Sequence, residues 1–177
     1  MNIEYEARIL EIDKDKLIKR LNKLNAKFVG EFNQKRYVYN IIPKADGKWL
    51  RLRTNGKKTT LTYKSVEKNS IDGTKELEIE VDNFENTNSL LELAGIKNKG
   101  YQENNRVQYV LDDVEIDIDT WPMIPTYVEI EGKSEESVLN IIKKLGINDK
   151  KITTLDVQSL YKEIYNIDIT KIDVLKF

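Results

Sequence analysis

Apolar and polar residues alternate one by one along most of this chain, and a period of two belongs to β-strands with two chemically different faces. Leu50 and Leu52 alternate with Trp49, Arg51 and Arg53, and Leu77, Ile79 and Val81 with Glu76, Glu78 and Glu80. Val114, Ile116 and Ile118 alternate with Glu115, Asp117 and Asp119, and Val128 and Ile130 with Glu129 and Glu131. The pattern predicts strands over Asn2–Leu10, Asn33–Ile42, Lys48–Arg53, Lys57–Val66, Thr74–Val81, Tyr101–Leu111, Val114–Thr120 and Thr126–Gly132. Asn55-Gly56, Asp46-Gly47 and Asp112-Asp113 lie where the chain must reverse, so the strands form an antiparallel meander.

Helical spacing appears between the strands. Asp13 caps a helix bearing Leu17, Leu21, Leu24 and Phe28, and Leu90, Leu91 and Ala94 precede a stopping Gly95. A third helix runs from Ser134 to Gly146 with Val138, Ile141, Ile142 and Leu145 as its apolar stripe. Leu155–Ile164 reads as a fourth, and 167–177 as a short strand or a loose tail.

The polar faces are sorted by charge. Residues two apart on a strand share a face at a spacing of roughly 6 to 7 Å. Glu4, Glu6 and Arg8 therefore lie together, as do Glu76 with Glu78, Asp117 with Asp119, Glu129 with Glu131, and Arg51 with Arg53, while Lys64 and Arg106 add single cations. A merely wet sheet face also alternates, but it gains from mixed signs, because like charges stacked on one face repel. Segregated signs fit a lining that gathers metal cations on acidic strands and a multiply charged anion on basic ones. Eight strands can close into a barrel without exposed edges, and the Leu- and Ile-rich helices need an apolar surface to cover. The expected fold is therefore α+β, a closed or nearly closed eight-stranded antiparallel barrel with helices packed outside and the charges lining a tunnel.

Composition narrows the chemistry. The 177 residues fit one domain, with 40% apolar and 33% charged residues and a mean hydropathy of -0.55. Histidine and cysteine are both absent, which removes thiol nucleophiles, histidine acid–base catalysis and the usual zinc sites. The 29 basic and 30 acidic residues nearly cancel, so no global field points to nucleic acid or a membrane. Without an apolar run or a leader-like start, the expected location is cytoplasmic. Carboxylates without histidine select a hard metal, Mg²⁺ or Mn²⁺, and Arg and Lys opposite them select phosphate oxygens. Phosphoryl or nucleotidyl transfer fits, since it needs mainly positioning and charge neutralisation.

These segments resemble, in order, those of the CYTH superfamily, the triphosphate tunnel metalloenzymes. Glu4-Tyr5-Glu6-Ala7-Arg8 is similar to the family's Glu-x-Glu-x-Lys signature. Leu50-Arg51-Leu52-Arg53, Leu61-Thr62-Tyr63-Lys64 and Glu76-Leu77-Glu78 resemble its middle strands, and Asp117-Ile118-Asp119-Thr120-Trp121-Pro122 and Tyr127–Gly132 its later ones. The resemblance spans roughly residues 2–164 and implies a single CYTH-like domain over 1–177. It implies metal ligands at Glu4, Glu6 and Glu129, helped by Asp119 and Glu131, and triphosphate-binding residues at Arg51, Arg53, Lys64 and Arg106, with Glu78 orienting the basic groups. Trp121 and Pro122 read as a plug near one barrel end, and Tyr37 and Tyr63 as packing residues.

Two positions depart from the family pattern. Arg8 stands where its signature has Lys, and Asn104 where many members have a second cation beside Arg106. Arg8 can bind phosphate but is a poor general base, which leaves Lys64 or the metal site to supply one. Two functions follow from the resemblance, hydrolysis of an inorganic or organic triphosphate and cyclisation of ATP by a class IV adenylate cyclase, and Arg8 and Asn104 motivate a third, a non-catalytic polyphosphate- or nucleotide-binding module. The expected partner is tripolyphosphate, thiamine triphosphate or ATP, with no nucleic acid or membrane, and with a homodimer allowed.

Overall fold

The computed structural model describes residues 1–147 and 151–177. Eight strands form the frame: β1 (Asn2–Ile9), β2 (Lys27–Asn40), β3 (Lys48–Thr54), β4 (Thr59–Val66), β5 (Thr74–Val81), β6 (Asn98–Leu111), β7 (Val114–Thr120) and β8 (Tyr127–Gly132). They follow one another as β6-β2-β3-β4-β5-β1-β8-β7, and β7 pairs back onto β6, so the antiparallel sheet closes into the expected barrel. Two short strands, β9 (Ile152–Thr153) on β1 and β10 (Val174–Leu175) on β6, pair where the long strands outrun their neighbours.

Local chemistry accounts for the reversals. Asp112 and Asp113 form the two-residue link between β6 and β7 with φ of 52° and 61°, the left-handed pair that a type I′ turn requires and that Asp tolerates. At Asn55-Gly56 the turn is longer than the dipeptide signal suggested. The Asn55 side chain accepts hydrogen bonds from the amides of Lys57 and Lys58, and this closes a four-residue loop before β4.

The core lies outside the barrel wall. Helices α1 (Lys14–Lys23), α2 (Phe84–Leu93) and α3 (Glu135–Leu145) each cover part of the apolar outer face. Beneath α1 and α3, Ala7, Ile9, Ile116, Ile118, Val128 and Ile130 meet Leu17, Leu21, Val138 and Ile141. Around α2, Tyr39, Leu52 and Phe84 form a second cluster, and Tyr37 stacks on Phe84 at 5.3 Å, a packing role. The third cluster closes one barrel end with Trp121, Tyr127, Leu160 and Tyr161. Ser134 starts α3 by exchanging hydrogen bonds with Ser137, and Gly146 ends it at φ 69°.

Three sequence expectations change. Helix α1 stops at Lys23, Asn25 turns the chain at φ 55°, and Phe28 belongs to β2, where its ring meets Tyr109 at 5.4 Å. Pairing with β6 draws β2 back to Lys27, because a register shift between Phe28 and Gly30 hides the strand period in that stretch. The fourth helix is one turn, α4 (Val157–Ser159), capped by Asp156 and followed by a wider π-type turn over Leu160–Ile164. Part of 167–177 is the strand β10, with Ile169 and Leu175 buried in the end cluster. Among the described residues no helix is long and apolar enough to cross a membrane.

Candidate active site

Because the outer faces take the apolar residues, alternation sends the charged ones inward. Glu4, Glu6, Arg8, Lys64, Arg106, Asp117, Asp119 and Glu129 are all buried, although they lie on different strands. Buried charges persist only when paired and hydrogen-bonded, and most of these are. Lys64 donates to both Glu4 oxygens at 2.7 Å and stands 3.4 Å from Glu76. Arg8 lies 2.5 Å from Glu129 and 3.1 Å from Glu6, and donates to the Leu155 carbonyl at 2.8 Å. Arg106 gathers three carboxylates, with contacts to Asp119 at 2.6 Å, to Glu129 at 3.3 Å and to Asp117.

The basic residues of β3 are less neutralised. Arg51 and Arg53 share one counter-charge, Glu78, at 3.6 and 3.9 Å, and Glu78 is held by the Thr62 hydroxyl at 2.7 Å. Arg36 faces Arg53 across the β2–β3 pair. The sequence reading missed Arg36, because Lys35 and Arg36 are adjacent and only the pairing register shows which of them points inward.

Electrostatics separates the carboxylates. Burial, reinforced by Glu4, Glu129 and Glu6, pushes the Glu131 carboxyl up to about 8. Burial also raises Asp117 to about 7, against the pull of Arg106. Burial would raise Glu129 too, but Arg8, Arg106 and Lys64 overcome it and hold that carboxyl well below its ordinary range. Glu6 stays raised because burial outweighs its share of Arg8.

Two cavities, of about 310 and 600 Å³, enter the barrel and share Arg8, Arg36, Arg51 and Lys64 in their linings. The smaller takes in Glu4, Arg53, Asp117, Glu129 and Glu131, and the larger Glu6, Trp49, Lys48, Lys99 and Asp156. The sequence-predicted residues thus converge on one passage: Glu4, Arg8, Arg51, Arg53, Lys64, Glu78, Arg106, Asp119, Glu129 and Glu131 line the smaller cavity and Glu6 the larger.

A profile of the CYTH domain matches residues 2–155. The chain belongs to the CYTH domain family. A Methanocaldococcus jannaschii protein provisionally named an adenylate cyclase is 26% identical over 163 residues, 85% of this chain and 93% of its own length. A Pyrococcus furiosus protein of solved structure shares 25% identity and superposes with a TM-score of 0.73 over 84% of this chain and 94% of its own. A Hippeastrum protein provisionally named an adenylyl cyclase, and described as having a dominant triphosphatase activity, shares the fold at a TM-score of 0.63 and 18% identity, over 92% and 96% of the two chains. The CYTH barrel is therefore common to this chain and to proteins bearing both kinds of name.

The donor set can be tested for a metal. Among the described residues no three carboxylates form a ready-made cluster. The donors are nonetheless all carboxylate oxygens, which suit hard divalent cations. Asp117 Oδ1 is buried without a hydrogen-bond donor, and Glu131 is crowded by like charges that a cation would relieve. The residues fit such an ion.

Proposed function

We propose that this CYTH barrel is a Mg²⁺- or Mn²⁺-dependent triphosphatase that hydrolyses the terminal phosphoanhydride of an inorganic or organic triphosphate. The observation that carries the reading is the pairing of an incompletely neutralised basic wall, Arg51 and Arg53 sharing the single counter-charge Glu78, with a carboxylate-rich one inside the barrel. Guanidinium groups bind phosphate oxygens through paired, charge-assisted hydrogen bonds and neutralise charge that builds up as the terminal phosphoryl group departs. Glu4, Glu6, Glu129, Glu131 and Asp119 would hold the metal, which supplies charge neutralisation at the phosphates when bound.

The attacking water must also lose a proton. Arg8 is a poor acceptor, and Lys64 is a donor to Glu4 at both oxygens. Asp117, pushed up to about 7 by burial, lies in the range suited to a general base, and it lines the smaller cavity. Water adds to the terminal phosphorus, the bridging P–O bond breaks, and tripolyphosphate yields pyrophosphate and orthophosphate.

The larger cavity supports a second reading. It adjoins the cationic waist and has room, beside Trp49, for a nucleoside, as cyclisation of ATP requires, and the archaeal relative carries a provisional cyclase name. Purified protein incubated with tripolyphosphate, thiamine triphosphate or ATP, with Mg²⁺ or Mn²⁺ and with EDTA, separates the readings when orthophosphate, pyrophosphate and cyclic AMP are all quantified. Orthophosphate release that EDTA abolishes is the expected result. Cyclic AMP with pyrophosphate would replace hydrolysis by cyclisation, and binding without any product would leave a polyphosphate-binding module.

A further inference from the structure

Among the described residues, Arg36 is the one arginine of the tunnel without a carboxylate partner. It is 6% exposed. Its Nη2 donates to Asn104 Oδ1 at 2.6 Å and to Gln34 Oε1 at 3.3 Å, its Cζ lies 4.4 Å from the Trp121 ring centre, and its Nε has no acceptor. Every partner is neutral. A buried cation with only neutral partners destabilises the fold, unless something anionic completes it when the protein works. Burial first, then Arg51, Arg53 and Arg106, press against its charge.

The surroundings hold the guanidinium in place without discharging it. Asn104 accepts from Arg36 and donates to Asp119 Oδ1 at 3.1 Å, so its amide is fixed from both sides. Trp121 supports the flat face of the guanidinium by a cation–π contact while its own Nε1 stays unpaired. The group lines both cavities, at the waist where they meet.

We propose that Arg36, seated on Trp121 and aimed by Asn104, is a phosphate-binding residue at the waist of the tunnel, supplying from β2 the positive charge that position 104 on β6 does not carry. The inference rests on the triphosphate reading of the same tunnel. It makes positions 36 and 104 alternatives, since a lysine at 104 would point an ammonium at the guanidinium it now accepts from, whereas with a neutral residue at 36 it would restore the charge from the opposite strand.

The test measures tripolyphosphate binding by calorimetry, and thermal melting with and without tripolyphosphate, for the wild type, R36Q, R36K and the exchange variant R36Q/N104K. R36Q is expected to bind about 10-fold more weakly or worse, the scale of one charge-assisted hydrogen bond. Without ligand it should melt no lower than the wild type, because the charge it removes is unpaired. R36K and R36Q/N104K should recover most of the affinity. Wild-type affinity in R36Q, or a lowered melting point with no recovery in the exchange variant, would overturn the assignment and leave Arg36 a packing residue. If the wild type itself does not bind tripolyphosphate, the triphosphate reading fails and takes this inference with it. If it binds and R36Q binds equally, only the inference fails.

Discussion

Arg106 and Asp119 sit opposite each other in the β6–β7 register and are joined twice, Nε to Oδ1 at 2.8 Å and Nη2 to Oδ2 at 2.6 Å. The same guanidinium reaches Asp117 and Glu129, so one buried cation holds three carboxylates together. Replacing it by an apolar residue leaves Asp117 and Asp119 without a cationic partner and Glu129 with Arg8 alone. Arg106→Met is expected to cost about 3–5 kcal/mol in chemical denaturation, as for a broken buried ion pair. A loss below about 1 kcal/mol would mean that solvent already neutralises the cluster.

Glu131 gives a pH signature. Its ordinary value is 4.5 and its folded value about 8, so between them the folded protein keeps a proton that the unfolded chain has released. Stability must then fall as pH rises through that window, with the full cost present above about 8 and none below about 4.5. Glu131→Gln removes the term. Melting curves in EDTA should show the variant gaining on the wild type from pH 5 to pH 8.5, and a difference constant with pH would refute the assignment.

The outer core can be weakened without touching the tunnel. Ile130 is fully buried, pairs with Ala7 on β1 and Ile116 on β7, and points away from the charged lining. Ile130→Ala should lower stability by about 2–5 kcal/mol through lost burial and the cavity left behind. Tripolyphosphate affinity measured well below the melting point should be unchanged, and a large loss of affinity would show that the wall transmits strain inward.

Tyr161 ties the closing segment to the barrel. Its hydroxyl donates to the Pro122 carbonyl at 2.5 Å in a buried setting, beside the Trp121 ring at 6.2 Å. Tyr161→Phe keeps the ring and orphans the carbonyl, for an expected loss of about 1–3 kcal/mol. Unfolding monitored by tryptophan fluorescence would register it directly, and an unaltered midpoint would place the strength of the closure in its apolar contacts.

Much of this was legible because alternation, turn chemistry and charge sorting are local. The rows Glu4-Glu6-Arg8, Arg51-Arg53 and Glu129-Glu131 declare their shared faces without reference to any partner strand. What the sequence concealed depends on pairing. Arg36 turns inward only once β2 is placed in register with β3, and Arg106 meets Asp117, Asp119 and Glu129 only because β6, β7 and β8 are neighbours. Phe28 followed the helical spacing of Leu17, Leu21 and Leu24, yet the stronger demand was for its backbone to pair with β6.

The short strand β10 gives the fold a protection of its own. By pairing beside Tyr101 and Gln102, it occupies backbone donors and acceptors of β6 that lie beyond the reach of β7. A chain cut before Val174 would uncover a stretch of β6 able to recruit extended segments from other copies. Val174 and Leu175 thereby act against aggregation, covering a length of β6 on which foreign strands could otherwise be templated.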